Sequence, residues 1–334
     1  MGEFKVQGTD IIVLRQIVML TLLGLTGFFA GKTKYLPENS GVILSRIVVK
    51  LTAPILIVTT MIGYNFTKQT ILNGLWIFLF GIIFILISGA ISVAACKALK
   101  IQGAASNIYK MLSMFGNVMF MAYPLLSSIY KEEGIIYAIF FNIANDAVLW
   151  TLGIYLVNKH KNNTWRENIK HLINGNTVAF TAGIIFIATN LSQHISSNAA
   201  VNSIYTVLFD TFSPLGKTTI YLSMLFIGLI LSEIKIQSFS DMLKRYPLFI
   251  LSFVKMLIVP VLACVIMSFA APFLNPMVKA IVVLQLAMPS ATIVSALASQ
   301  YGSDYKFATE GVFVTTVLSV LTLPVMVYVL GIFG

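Results

Sequence analysis

The chain has 334 residues, of which 58% are hydrophobic and only 10% are charged, and its mean hydropathy is +0.90. These values exclude a soluble domain, whose surface would have to be wetted, and the strand-type alternation of a membrane barrel is absent. The net charge of +10 is spread over short loops, which indicates membrane topology and not a nucleic-acid partner. The sequence therefore predicts an all-α polytopic membrane protein, embedded in a lipid bilayer.

Ten apolar segments are predicted to be membrane helices. The first has no clear cleavage site and is interpreted as a retained span; its Gly27 and Gly31 are spaced for close helix packing. The seventh segment has an alternative start near Ser203. The predicted ranges are 11–31, 41–62, 71–98, 106–129, 134–157, 176–191, 214–231, 247–270, 276–300 and 305–333.

A basic linker at residues 159–173 divides the segments into five and five, with residues 1–158 before it and residues 174–334 after it. An odd number of spans makes the two halves enter the membrane from opposite sides, so the halves are predicted to be inverted repeats. Thirteen lysines and arginines fall on one side and five on the other. The positive-inside rule then places both termini outside the cytoplasm, in a multi-pass protein of the plasma or inner membrane.

The fourth and ninth segments are each interrupted near their middle. The run from Gly116 and Asn117 to Tyr123 and Pro124 lies in the fourth segment, and a second proline, Pro289, lies in the ninth. Proline lacks an amide proton and costs about 3 kcal/mol inside a helix. Interrupted helices at matching places in two halves indicate a transporter's binding site, although a purely structural kink is the alternative reading.

The chain resembles the auxin efflux carrier family of membrane transporters over essentially its whole length, and four motifs carry the resemblance. They are Asn117 seven residues before Pro124, Tyr123-Pro124-Leu125-Leu126, Ala287-Met288-Pro289 and the late Leu323-Pro324. Because its central loop is short, the chain is similar to the compact bacterial members of the family, which include malate permease-like proteins. The resemblance implies two crossing broken helices, a scaffold of helices 1, 2, 6 and 7, and a transport domain of helices 3–5 and 8–10. It also implies an elevator mechanism and a homodimer.

The interrupted helices suit a substrate carboxylate, because amino ends of half-helices present unpaired amides and a positive dipole end. Asn117 is the first candidate, donating its side-chain amide to the carboxylate. The alternative is that Asn117 only satisfies carbonyls freed by the interruption. The predicted substrate-binding set is Gly116, Asn117, Tyr123, Pro124, Gln285, Pro289 and Ser290.

Asp146 lies mid-membrane in the fifth segment, where an ionised carboxylate is costly. Asn142 shares its helix face, and Asn145 precedes it. These three residues are predicted to form a coupling site for a proton or a sodium ion. A salt bridge between Asp146 and Lys255 is the structural alternative. No metal-ligand spacing is present, and no cofactor is predicted beyond the coupling ion.

The predicted function is secondary transport of a small organic anion, such as malate or an auxin-like acid. A sodium- or proton-coupled symporter of the bile-acid type, or a membrane sensor that binds ligand without moving it, are the alternatives. The chain lacks a nucleotide-binding loop, a nucleophile elbow and paired catalytic carboxylates, so an enzyme is not predicted.

Overall fold

A computed structural model describes residues 6–158, 173–191, 195, 197–233 and 245–333. Within these residues the chain is helical and contains no named strand, which confirms the all-α prediction. The predicted linker at 159–173 lies outside the described residues except for its last position. The helices are α1 (Val6–Lys32), α2 (Ser40–Gly63), α3 (Lys68–Ala98), α4 (Gly103–Met114), α5 (Ala122–Val157), α6 (Gly175–Ala188), α7 (Ala199–Glu233), α8 (Tyr246–Phe269), α9 (Pro276–Leu286), α10 (Thr292–Gln300) and α11 (Tyr305–Phe333).

Six of the described helices are long and apolar enough to cross a membrane, namely α2, α3, α5, α7, α8 and α11. Shorter apolar stretches lie in α1, α6 and α9. Since a bilayer core requires about 20 apolar residues per helix, these lengths agree with a polytopic membrane protein. The count of ten spans in two inverted repeats stays a prediction.

One predicted boundary is wrong, namely the start of the seventh segment at Pro214, although the alternative start near Ser203 lies within a few residues of the observed one. The fourth and fifth segments were predicted to be separate, and the gap between them contains a sharp kink at Lys131 (φ 54°, ψ −137°), where two helical parts of α5 meet. Gly134 allows the bend, since a Cβ there would collide with the carbonyl of Leu126. The seventh segment begins at Ala199 and passes through Pro214, because membrane helices tolerate an interior proline that a soluble helix would place in its first turn.

Glycines hold α1 directly against α7. A Cβ on Gly27 would overlap the backbone of Leu225, and a Cβ on Gly228 would overlap the backbone of Gly24. Small residues let membrane helices approach to backbone contact, where dispersion forces stabilise the pair. The close packing predicted for Gly27 and Gly31 is therefore made within the chain.

The helices pack most extensively in two sets. In one set, α1 lies along α7 while α2 packs against α6 and α7. In the other, α3 packs against α4, α5 and α9, and α11 packs against α4, α8 and α10. Three helices also contain a π-helical turn, a feature that often marks functional sites. The turns lie at Val48–Thr52 in α2, Leu149–Gly153 in α5 and Val254–Ile258 in α8.

Candidate functional site

The two predicted interruptions are real breaks, and they meet in space. Helix α4 ends at Met114 and α5 begins only at Ala122, while α9 ends at Leu286 and α10 begins at Thr292. Between them, Gly116 pairs with Ser290 in an antiparallel bridge. Each half of the chain therefore contributes one interruption to a common junction.

Main-chain hydrogen bonds close this junction. The amide of Asn117 donates to the carbonyl of Pro289 at 2.7 Å, and the amide of Ala291 donates to the carbonyl of Phe115 at 3.0 Å. These bonds satisfy groups that a broken helix would otherwise leave bare in lipid. A Cβ on Gly116 would lie at van der Waals distance, 3.4 Å, from both the Gln285 carbonyl and the Met288 Cβ, so the two interruptions are closely packed there.

Ser290 fastens the junction to its surroundings. Its amide donates to the hydroxyl of Thr315 at 3.1 Å, and its own hydroxyl donates to the carbonyl of Leu112 at 2.8 Å. The residue is fully buried. Its hydroxyl is thus committed to the last turn of α4, a structural task that sequence reasoning did not assign to it.

A cavity of about 1660 Å³ opens beside the junction. Its walls come from α2, α5, the start of α6, and α7, α8, α10 and α11. Among the predicted site residues, those that line it are Gly116, Asn117, Asn142, Asn145 and Asp146. The predicted Tyr123, Pro124, Gln285, Pro289 and Ser290 do not line it, and all five are buried within the protein.

Basic side chains outnumber acidic ones around this cavity. The basic residues that line it are Arg46, Lys50, Arg245 and Lys306, and the acidic ones are Asp146 and Glu310. Arg245 and Glu310 neutralise each other, since their Nε and Oε2 atoms lie 3.1 Å apart. The remaining excess of positive charge favours an anion over a cation.

Asn117 lines the cavity and has a side-chain donor that is unpartnered within the described part of the chain. Its side chain is only 3% exposed, and its Nδ2 atom has no hydrogen-bond partner among the described residues. The Nδ2 atom of Asn142 and the Oδ1 atom of Asn145 are also buried without a partner. Buried polar atoms are nearly always satisfied by protein groups or by ordered water, so these three atoms are free to bind water or a polar ligand in the cavity.

Asp146 lies half-buried in the cavity wall. The side chains of Asn145 and Asn174 hydrogen-bond to its carboxylate. The ammonium of Lys255 instead donates to the carbonyl of Ser113 at 2.9 Å. The structure thus does not bring the proposed Asp146–Lys255 pair together.

Sequence reasoning missed several residues at the site. Lys255 was considered only as a partner for Asp146, although a lysine within the apolar run of α8 is itself a signal of function. The sequence pattern did not single out Ser113 and Ser88, because serines are common in membrane helices. The described residues include no group of three histidine, cysteine or acidic side chains arranged to hold a metal ion.

Comparisons with known proteins agree with this geometry. The family model for "Membrane transport protein" matches residues 12–168 and 162–327. An uncharacterized transporter of Methanocaldococcus jannaschii is 23% identical over 317 residues, covering 94% of this chain and 97% of the relative. An uncharacterized transporter of Methanothermobacter thermautotrophicus is 24% identical over 315 residues, with the same coverage. The matches confirm the resemblance found from the sequence motifs and agree with a transporter, not an enzyme. This chain belongs to the membrane transport protein family.

Proposed function

We propose that the protein is a secondary transporter that binds a small organic anion beside the junction of its two interrupted helices. The observation that carries the proposal is Asn117, which lines the large cavity and whose side-chain Nδ2 atom is buried without a hydrogen-bond partner among the described residues. An amide donor binds a carboxylate strongly, since hydrogen bonds to charged groups are about twice as strong as neutral ones.

Two further features support an anion. The first turn of α10, at Thr292 and Ile293, lines the same cavity as Asn117. The first amides of a helix lack intrahelical partners and carry the positive end of the dipole, which attracts negative charge. The excess of basic residues around the cavity acts in the same direction.

The proposed topology has ten spans in two inverted repeats with both termini outside the cytoplasm, in the plasma or inner membrane. Two observations support the count: α4 with the part of α5 before Lys131 is long enough for one span, and α9 with α10 for another. In this topology Arg245 and Lys306 mark the cytoplasmic side, because they belong to the basic loops. The cavity they line is then open to the cytoplasm.

An elevator movement is the proposed mechanism of transport. Helices α1, α2, α6 and α7 pack more extensively among themselves than against the remaining helices, which supports a static scaffold and a moving transport domain. The junction lies wholly within the proposed transport domain, so the bound anion would move with it as one body. We further propose that the scaffold forms a homodimer, as in the family the chain resembles.

A second candidate function is symport coupled to a proton or a sodium ion. Asp146 favours it, because this carboxylate lies in the cavity wall without a cationic partner among the described residues. A bound cation would offset its charge at membrane depth. A coupling ion and an anion would then occupy neighbouring parts of one cavity.

The proposal is tested with purified protein in proteoliposomes. Uptake of radiolabelled malate, succinate and indole-3-acetate is measured against empty liposomes, with and without sodium and with imposed pH gradients. Accumulation of at least one acid is the expected result, and its dependence on sodium or pH separates coupled from uncoupled transport. Binding without accumulation favours a sensor, and neither binding nor uptake of any organic anion contradicts the proposal.

A further inference from the structure

Lys255 is a buried lysine with no carboxylate partner. It lies in the π-helical turn of α8, and its side chain is 3% exposed. Its Nζ donates to the carbonyl of Ser113. The ion pairs found among the described residues, Lys217–Glu132 and Arg245–Glu310, do not involve it.

The ammonium lies just beneath the floor of the large cavity. Lys255 lines a small enclosed void together with Ser88, Ser113 and Gln285. This void and the large cavity share three lining residues, Gly116, Val118 and Asn145. A single layer of residues therefore separates the lysine from the proposed anion site.

Structural need does not explain a lysine at this position. The Ser113 carbonyl already accepts a hydrogen bond from the Ser88 hydroxyl at 2.9 Å, so it would not be left unsatisfied without the lysine. A buried charge without an opposite charge destabilises a protein, and an apolar residue of similar volume is often better tolerated. An ionisable residue at membrane depth is costly, so it is by default a candidate for a functional site.

We propose that Lys255 adds to the selectivity of the site for anions, acting from beneath the cavity as a counter-charge for a carboxylate bound there. This inference rests on the proposed function and adds to it one source of the cavity's preference for negatively charged ligands. The ammonium attracts a negative ligand through the thin floor, where the low dielectric strengthens the interaction. This attraction grows with the charge of the ligand. It should therefore raise the affinity for dicarboxylates more than for monocarboxylates, and leave the affinity for neutral analogues unchanged.

The test uses two variants and two measurements. Lys255→Met removes the charge at nearly constant volume, and Lys255→Arg keeps the charge. Lys217→Met removes a lysine that is paired with Glu132 outside the cavity and serves as the matched control.

The first measurement needs no substrate. The variant Thr292→Cys places a thiol in the cavity, and the rates at which this thiol reacts with anionic and with cationic methanethiosulfonate reagents are compared.

We expect the ratio of anionic to cationic labelling rates to fall several-fold with Lys255→Met and to stay unchanged with Lys217→Met. The second measurement is binding of succinate and of its neutral analogue succinamide. Succinate affinity should fall about 10-fold or more with Lys255→Met, as for loss of a buried charge partner, and recover partly with Lys255→Arg. The melting temperature of the ligand-free Lys255→Met protein should not fall.

An unchanged labelling ratio overturns the proposal, whatever the substrate proves to be. A lowered ratio with unchanged succinate affinity overturns it as well, because the charge would then not be used in selection. A lower melting temperature with unchanged succinate binding would assign Lys255 a structural role, and this result also overturns the proposal. Failure of the proposed function is recognised separately, as absence of carboxylate binding in the wild-type protein.

Discussion

Replacing Asn117 with alanine removes a buried amide that has no hydrogen-bond partner among the described residues. The main-chain bond to the Pro289 carbonyl is retained, so the junction should persist and the melting temperature should change little. A hydrogen bond to a charged acceptor contributes about 1.5–3 kcal/mol. Since about 1.4 kcal/mol corresponds to a tenfold change in dissociation constant, the affinity for the transported acid should fall about 10- to 150-fold.

The assay combines thermal denaturation of the ligand-free protein, titration with the best-transported carboxylate, and initial uptake rates in proteoliposomes. Asn73→Ala is the matched control, because Asn73 is also a buried asparagine but donates to the Tyr137 hydroxyl at 3.0 Å, away from the cavity. The control should lose about 1–3 kcal/mol of stability and keep its affinity. If Asn117→Ala behaves like Asn73→Ala, Asn117 serves the backbone and the reasoning is refuted.

Three further predictions concern the surroundings of the site. Asp146→Asn should abolish the dependence of uptake on pH or sodium, and uptake with an unchanged dependence would remove Asp146 from coupling. Ser290→Ala loses the bond to the Leu112 carbonyl and should lower the free energy of unfolding by about 0.5–1.5 kcal/mol, without the change in Kd expected of a ligand residue. Gly228→Ala forces a Cβ into the backbone of Gly24 and should destabilise the α1–α7 pair by about 1–3 kcal/mol; a thermal melt equal to wild type would contradict this packing.

The interruptions could be predicted from the sequence because proline and glycine act locally. Pro124 and Pro289 each remove an amide donor, and the adjacent small residues permit non-helical backbone. The position of Asn117 at an interruption followed from the same argument, while the sequence left open whether its amide serves a ligand or the carbonyls freed by the break. Both features depend on chemistry within a few residues of the position concerned.

The division of tasks among the site residues could not be predicted, because it depends on helix rotation and on long-range contacts. Ser290 and Asn117 are both small polar residues at an interruption, yet one faces Leu112 and the other faces the cavity. Lys255 reaches the junction from a helix more than a hundred residues away in sequence. Its helix contains a π-helical turn there, and the sequence pattern gives no sign of that turn.

The bridge between Gly116 and Ser290 is made of peptide groups, and every amino acid except proline carries both a donor and an acceptor. Replacing the neighbouring side chains that line the cavity therefore leaves these main-chain hydrogen bonds in place. If the proposed transport function holds, exchanging a few lining residues can change which acid is bound, while the main-chain bridge between the two interruptions stays the same.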